Sequence, residues 1–249
     1  MPAGIRTPRP LYLACSAHRD VQSGLHTALA AWLGVEAVDD RPLPVDRVGL
    51  VLTGQGPVLR IPGLPPTRWH RGMTPWRLSR LDADPLIAAT GAGPGCRIID
   101  ATLGFGHDAL VLRAAGASVC GLECHPLLAW LTYDGHARQH VGPPLHLRLG
   151  DFREILPDLP RATADVVYFD PLFPAAATGT NPTWAPVRAI GARGRVDAAS
   201  FEAARRVAPA RVVLKLAPGE AAPGFGGPPP RLVQSNRARY AVYDRVEST

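Results

Sequence analysis

Short apolar runs alternate with helical patterns from residue 95 onward. The helical patterns cover residues 108–115, 126–139 and 198–207, and strand-length apolar runs lie at residues 97–100, 118–123, 145–149, 165–170 and 211–216. This alternation is the βαβ rhythm of an open parallel sheet. Two last apolar runs, residues 232–235 and 240–245, predict a closing antiparallel pair. A ligand is expected at the carboxyl ends of the parallel strands.

The preceding part of the chain predicts a smaller α/β unit at residues 1–65. Its pattern gives a strand at residues 11–15, a helix at residues 21–33, and a hairpin from residues 48–52 and 58–60. Residues 66–94 are predicted as a connector and one helix, the latter from about Trp76 to Ala89. Residues 95–249 then form the ligand-binding domain.

Composition favours a protein without a membrane segment. The 249 residues are 46% hydrophobic, which suffices for one sizeable core. No apolar run approaches the roughly 18 residues of a membrane span, and Pro2, Pro8 and Pro10 break the N-terminal segment. We therefore expect a cytoplasmic location and no membrane partner.

Net charge and cysteine usage add little to the prediction of function. A net charge of +6 favours an anionic partner such as nucleic acid, but the excess is almost entirely arginine, which genomic base composition also produces. Lys215 is the only lysine. Of Cys15, Cys96, Cys120 and Cys124 only the last two are close, and no second Cys or His pair accompanies them, so no metal site is predicted.

A glycine-rich turn is the strongest local signal. The run Asp100-Ala-Thr-Leu-Gly104-Phe-Gly106-His107-Asp108 follows a predicted strand and opens a helix. Glycines let a backbone pass close to a ligand, and a helix N-terminus adds free N–H groups. Taken alone, the turn also fits a nicotinamide or flavin enzyme, or a structural turn.

Acidic residues follow the next two strands as well. Glu123 can accept hydrogen bonds from both hydroxyls of an adenosine ribose. Asp151 can accept one from an adenine amino group, with Phe152 against the ring. Each acid alone could be a solvated strand end or a helix cap, whereas acids at three successive strand ends favour a nucleoside site.

The run Tyr168-Phe-Asp170-Pro171-Leu172-Phe173-Pro174 ends the fourth strand. It resembles the (Asp/Asn)-Pro-Pro-(Tyr/Phe) motif of methyltransferases that act on nucleobase amino groups. An exocyclic amine must be oriented and polarised before attack, because its lone pair is delocalised into the ring. Asp170 and the Pro171 carbonyl could accept its N–H bonds while Phe173 stacks on the unstacked base. The alternative is a strand-end turn with Phe173 in the core.

The whole chain resembles the ribosomal small-subunit RNA methyltransferase J family. Matching segments occur in the family's order at residues 28–34, 49–53, 59–60, 99–106, 108–109, 122–123, 168–174, 212–215 and 239–243. The resemblance implies a Rossmann-like class I methyltransferase sheet with a small N-terminal α/β subdomain. It also implies S-adenosylmethionine as cofactor and guanine N2 of 16S ribosomal RNA, in the small ribosomal subunit, as acceptor.

The motifs themselves predict Asp170, Pro171 and Phe173 as catalytic and Asp100, Gly104 and Gly106 as the cofactor turn. Carried over position by position, the resemblance implies the further cofactor contacts His107, Asp108, Glu123, Cys124, Asp151, Phe152 and Asp170. The chain departs from the family at His107, where the family has Arg, and at Leu172, where it has Met.

Two other functions stay open. One is methylation of a small molecule or a protein amine, which a closed apolar pocket would favour; a basic groove lined by Arg68, Arg71, Arg77 and the arginines of residues 188–195 would favour RNA. The other is a non-catalytic RNA-binding assembly factor.

His70 and Arg71 could contact a phosphate or base, or could pack over the cofactor pocket. Lys215 could reach the strand end or be structural.

Overall fold

The computed structural model describes residues 12–15, 30–38, 46–53, 55–172, 185–191, 195–227, 230–236 and 238–245. The chain forms two compact units, Met1–Trp69 and His70–Thr249. No helix in the described ranges is long and apolar enough to cross a membrane.

The first unit carries a four-stranded sheet in the order β2-β1-β3-β4. Its strands are β1 (Tyr12–Cys15), β2 (Glu36–Val38), β3 (Gly49–Thr53) and β4 (Gly56–Arg60). The predicted hairpin is confirmed, since β3 and β4 pair antiparallel. The three-residue β2 was not predicted because it is too short to show a pattern. Residues 30–33 are helical, and the rest of the predicted helix 21–33 lies outside the described residues.

The second unit carries a seven-stranded sheet in the order β10-β11-β9-β8-β5-β6-β7. The strands are β5 (Arg97–Asp100), β6 (Ser118–Glu123), β7 (His146–Leu149), β8 (Val166–Phe169), β9 (Arg211–Leu216), β10 (Arg231–Gln234) and β11 (Arg239–Asp244). Strands β5 to β9 are parallel to one another, whereas β11 runs antiparallel to both β9 and β10. The predicted parallel sheet and its closing antiparallel pair are confirmed.

Helices cover both faces of this sheet. They are α1 (Thr74–Leu78), α2 (Pro85–Thr90), α3 (His107–Ala114), α4 (Pro126–Ala137), α5 (Phe152–Asp158), α6 (Ala185–Ile190) and α7 (Ala198–Val207). Successive strand residues point to opposite faces: Ile99 and Val167 pack with α5 and α7, whereas Ile98 and Val166 pack with α2 and α3. Burial on both faces explains why these strands read as continuous apolar runs.

The single helix predicted from Trp76 to Ala89 is wrong. It is divided into α1, a 3₁₀ turn at Leu81–Ala83 and α2. Pro85 explains the break between the 3₁₀ turn and α2, because the residue before a proline is pushed into extended backbone. Asp84 has φ −74° and ψ 124°, and its side chain caps α2 by accepting a hydrogen bond from the Leu86 N–H.

The order of the sheet determines where a ligand can bind. From β5 the chain moves outward through β6 and β7, and it then returns to β8 and β9 on the other side of β5. A crevice opens at such a switch point, beyond the carboxyl ends of the central strands. Asp100 ends β5 and Asp170 directly follows β8, so both flank this crevice.

Candidate active site

A cavity of about 830 Å³ lies at the carboxyl edge of the sheet, within the second unit. Residues from the ends of β5, β6, β8 and β9 line it, together with segments before α1 and after β10. The predicted site residues in its lining are Asp100, Gly104, Gly106, His107, Asp108, Glu123, Cys124, Asp151, Phe152, Asp170 and Pro171. Phe173 lies outside the described residues.

The glycine turn after β5 is held by its neighbours and bends toward the cavity. The Ala101 N–H donates to the carbonyl of Tyr168 at 2.9 Å, and the Leu103 N–H to that of Leu122 at 3.0 Å. Gly106, at φ +67°, precedes α3 as its N-cap residue. A Cβ there would lie 2.5 Å from Nε2 of His136, so both the backbone conformation and the space require glycine.

Glu123 supports this turn from the end of β6. Its Oε2 accepts the Gly104 N–H at 3.0 Å and its Oε1 accepts the His125 N–H at 2.9 Å. The side chain is buried, and this burial raises the pKa of the carboxyl. Oε1 also accepts the Cys124 thiol at 3.6 Å, whereas Oε2 keeps a lone pair for a hydroxyl donor such as that of a ribose.

Asp151 and Phe152 begin α5. Asp151 caps the helix by accepting the Arg153 N–H at 2.9 Å, and it also pairs with the Arg153 side chain at 2.6 Å. The bond to this guanidinium lowers the pKa of Asp151. Phe152 is buried against Phe169, edge to face, with 5.3 Å between ring centroids. Both residues have a structural role and also line the cavity.

Asp108 is the centre of a buried charge network. Its Oδ2 accepts the Tyr168 hydroxyl at 2.6 Å and the Lys215 ammonium at 3.0 Å, while Oδ1 is bonded to Arg77. Burial alone would raise the pKa of Asp108, but the charges of Lys215 and Arg77 outweigh it and hold this pKa well below the usual range. Asp108 is therefore ionised at neutral pH.

Arg77 connects this network to the helices before β5. Its Nε and Nη2 donate to the two carboxylate oxygens of Asp84 at 2.7 and 3.0 Å. Arg77 lines the cavity, but two carboxylates neutralise its charge, so it adds little to the basic groove considered from sequence. Arg188, another candidate for this groove, lies in the last turn of α6 and lines the cavity. Arg193 lies outside the described residues.

Asp170 forms hydrogen bonds through both its backbone N–H and its side-chain carboxylate. The Asp170 N–H donates to Thr102 Oγ1 at 2.6 Å, and the Lys215 ammonium donates to Asp170 Oδ2 at 2.7 Å. The carboxyl retains 29% of its side-chain surface. Burial raises the pKa of Asp170 to about 6, although Lys215 acts in the opposite direction. Sequence reasoning left Lys215 undecided, and its signal was a lone lysine within an apolar strand.

Asp100 differs from the other carboxyl groups because no cation bonds to it among the described residues. It is 2% exposed, and its Oδ1 accepts the Thr102 N–H at 3.2 Å. Burial, followed by the nearby charge of Asp108, raises its pKa to about 8. The carboxyl is therefore mostly protonated at pH 7 and can ionise when a cation binds beside it.

His107 opens α3 and turns toward the segment before α1. Its Nε2 donates to the carbonyl of His70 at 2.7 Å, and burial lowers its pKa. His70 packs against Phe105 and His107, each with 5.3 Å between ring centroids. The described residues contain no group of three or more potential metal ligands.

The fold and the family comparison define a class I S-adenosylmethionine-dependent methyltransferase. The SAM_MT family of SAM-dependent methyltransferases matches residues 77–245. The crystal structure of a SAM-dependent methyltransferase from Neisseria gonorrhoeae has a similar fold, with a TM-score of 0.67 and 21% identity over 96% of this chain and 97% of that one. The predicted fold class, enzyme class and cofactor are thus confirmed.

Curated relatives identify the family within this class. The chain is 36% identical to the ribosomal RNA small subunit methyltransferase J of Halorhodospira halophila, over 93% of this chain and 97% of the relative. It is 31% identical to that of Dechloromonas aromatica, over 83% and 88%. The chain belongs to the ribosomal RNA small subunit methyltransferase J family.

The cavity is chemically suited to S-adenosylmethionine. That cofactor carries a cationic sulfonium and ammonium, a ribose diol and an adenine ring. Asp100 supplies an acidic group for the cationic end, and Glu123 supplies a carboxylate for a diol. The glycine turn between them lines the same cavity, and Gly104 and Gly106 let its backbone approach a ligand closely.

Proposed function

We propose that the protein methylates the exocyclic N2 of a guanine in 16S ribosomal RNA. The names of its family relatives support ribosomal RNA of the small subunit as the substrate. The observation that carries the amine chemistry is the position of Asp170-Pro171, directly after β8 and facing the cavity. A ribosomal substrate accords with the cytoplasmic location that we expect.

The proposed cofactor contacts follow the three strand ends. We assign Asp100, the turn Gly104 to Asp108, Glu123 with Cys124, and Asp151 with Phe152 to the cofactor; all line one cavity. Residues 95–249 would hold these contacts, and residues 66–94 would complete the pocket through α1.

In the proposed reaction, Asp170 and the Pro171 carbonyl accept the two N–H bonds of the guanine amine. This aligns the nitrogen with the methyl group, which bound S-adenosylmethionine supplies on its sulfonium. The nitrogen forms its bond to the methyl carbon as the carbon–sulfur bond breaks, and one amine proton passes to Asp170. A carboxyl with a pKa of about 6 is ionised at neutral pH and can accept that proton. Phe173 is proposed to stack on the base.

The test is transfer of radiolabelled methyl from S-adenosylmethionine to small ribosomal subunits from cells that lack this enzyme. Digestion to nucleosides should give labelled N2-methylguanosine. Label in protein or in small molecules would instead support the alternative acceptors. Cofactor binding without any transfer would support a non-catalytic assembly factor.

Asp170→Ala separates the proposed role of Asp170 from cofactor binding. Because Asp170 acts on the acceptor amine, transfer should fall by about 100-fold or more, within the range of positioned acid–base groups. Affinity for S-adenosylhomocysteine, measured by calorimetry, should change less than about tenfold. Equal losses in transfer and in affinity would contradict this role.

A further inference from the structure

Lys215 is placed where a lysine is costly. It lies in β9 between Leu214 and Leu216, both buried, and it is the only lysine of the chain. Its side chain keeps 24% of its surface and ends in the cavity. A buried ammonium is tolerated only when it is paired. Here the ammonium bridges two carboxylates, at 3.0 Å to Asp108 and at 2.7 Å to Asp170.

Neutralising Asp108 does not by itself explain this lysine. Asp108 already receives hydrogen bonds from the Arg77 guanidinium and from the Tyr168 hydroxyl. For Asp170 the situation is different. Within the described ranges Lys215 is the only cation that hydrogen-bonds to it. We therefore expect the specific effect of the Lys215 charge to be stabilisation of the ionised Asp170 carboxyl.

The other groups around Asp170 make its ionisation dependent on this lysine. The facing groups are Asp100 at the end of β5, Asp108 and its partner Arg77 from α3 and α1, Tyr168 on β8 and Tyr240 on β11. Two of these are acids, and Arg77 is engaged by Asp84 and Asp108. Without the Lys215 charge, burial and the neighbouring acids would favour the protonated carboxyl.

We propose that Lys215 is a positioning residue, which fixes one carboxylate oxygen of Asp170 and keeps the group ionised so that it can accept the N–H bonds of the acceptor amine. The catalytic consequence rests on the proposed function of Asp170. The effect on Asp170 itself does not, and it can be measured without an acceptor.

The experiment compares Lys215→Met with Lys215→Arg. The acidic limb of the kcat profile against pH should move up by about one pH unit or more in Lys215→Met, because removal of a contacting opposite charge raises a carboxyl pKa by that order. At pH 7 kcat should then fall by about twofold for an upward shift of one pH unit and by about tenfold for a shift of two. Lys215→Arg keeps the charge, so its acidic limb should stay near that of the wild type.

Tyr168→Phe is the matched control. It removes another hydrogen bond to the same Asp108 oxygen without removing a charge beside Asp170. We expect lower stability and an unmoved acidic limb. If Lys215→Met folds poorly, Lys215→Gln retains hydrogen-bond donors without the charge, and the same upward shift is expected.

A direct titration keeps this inference separate from the choice of substrate. Carboxyl carbon NMR of ¹³C-aspartate-labelled protein, with the Asp170 signal assigned through Asp170→Asn, should show a higher pKa in Lys215→Met than in the wild type. This readout remains decisive if the wild type methylates no ribosomal RNA, which would refute only the proposed function. An unchanged Asp170 titration in both uncharged variants would overturn the proposal for Lys215.

Discussion

Asp100→Asn should stabilise the protein and at the same time weaken cofactor binding. Asp100 is 2% exposed at the end of β5, and its pKa is raised to about 8. In the unfolded chain the same carboxyl ionises near its ordinary value of 3.8. The folded protein thus retains a proton that the unfolded chain releases. Asparagine has nearly the same shape, and its Oδ1 can still accept the Thr102 N–H.

The sign and size of the effect follow from this difference. Below about pH 4 the Asp100 carboxyl is protonated in both the folded and the unfolded state, so its ionisation does not change the free energy of unfolding. As the pH rises above 4, the unfolded state gains free energy by losing the proton, so this group destabilises the fold increasingly until about pH 8. At about 1.36 kcal/mol per pH unit, the penalty grows by about 3 kcal/mol between pH 5 and pH 7. Asp100→Asn removes that pH-dependent part.

Urea unfolding of the cofactor-free protein at pH 5 and pH 7 measures the change. The stability advantage of Asp100→Asn over the wild type should be greater at pH 7 by about 3 kcal/mol, or about 6–12 °C in Tm for a domain of this size. An advantage that is the same at both pH values would refute the reasoning. In parallel, affinity for S-adenosylmethionine should fall in the variant, because an amide cannot ionise to meet the cationic end of the cofactor.

Two further substitutions test the cofactor turn. In Glu123→Gln the new NH₂ group faces one of the two N–H groups that donate hydrogen bonds to the carboxylate. Calorimetry should therefore show about 10- to 100-fold weaker binding of S-adenosylhomocysteine. Unchanged affinity would contradict the role of Glu123. Gly106→Ala puts a Cβ 2.5 Å from Nε2 of His136. Gly95→Ala is its control, because Gly95 also has a positive φ but its new Cβ would meet no atom within 4 Å. In urea unfolding, Gly106→Ala should lower the free energy of unfolding by at least about 2 kcal/mol more than Gly95→Ala does. Equal losses would show that the structure relaxes to remove the clash.

The sequence predicted the sheet well because its strands are buried on both faces. Arg97–Asp100, Ser118–Glu123 and Arg211–Leu216 read as continuous apolar runs, and the structure places strands there. Short elements were missed, among them Glu36–Val38 and the helix Phe152–Asp158, in which Pro157 interrupts the helical pattern. Periodicity needs more residues than these elements contain.

The position of the site was predictable, but its internal partners were not. Acids at successive strand ends must meet at one edge of a parallel sheet, so Asp100, Glu123 and Asp170 share a cavity as the pattern requires. The partners of these acids depend on register between distant segments. Lys215 and Asp108 are 107 positions apart in the chain, and no local pattern relates them.

Those partners also change how the net charge should be interpreted. Part of the arginine excess is used within the fold: Arg77 pairs with Asp84 and Asp108, and Arg113 is buried and donates to the carbonyl of Val141. Arg206 donates to the carbonyls of residues 156, 157 and 159. Cations engaged in this way cannot neutralise phosphates. The proposed recognition of RNA would therefore depend on exposed arginines outside such pairs, and a formal charge of +6 is a poor measure of it.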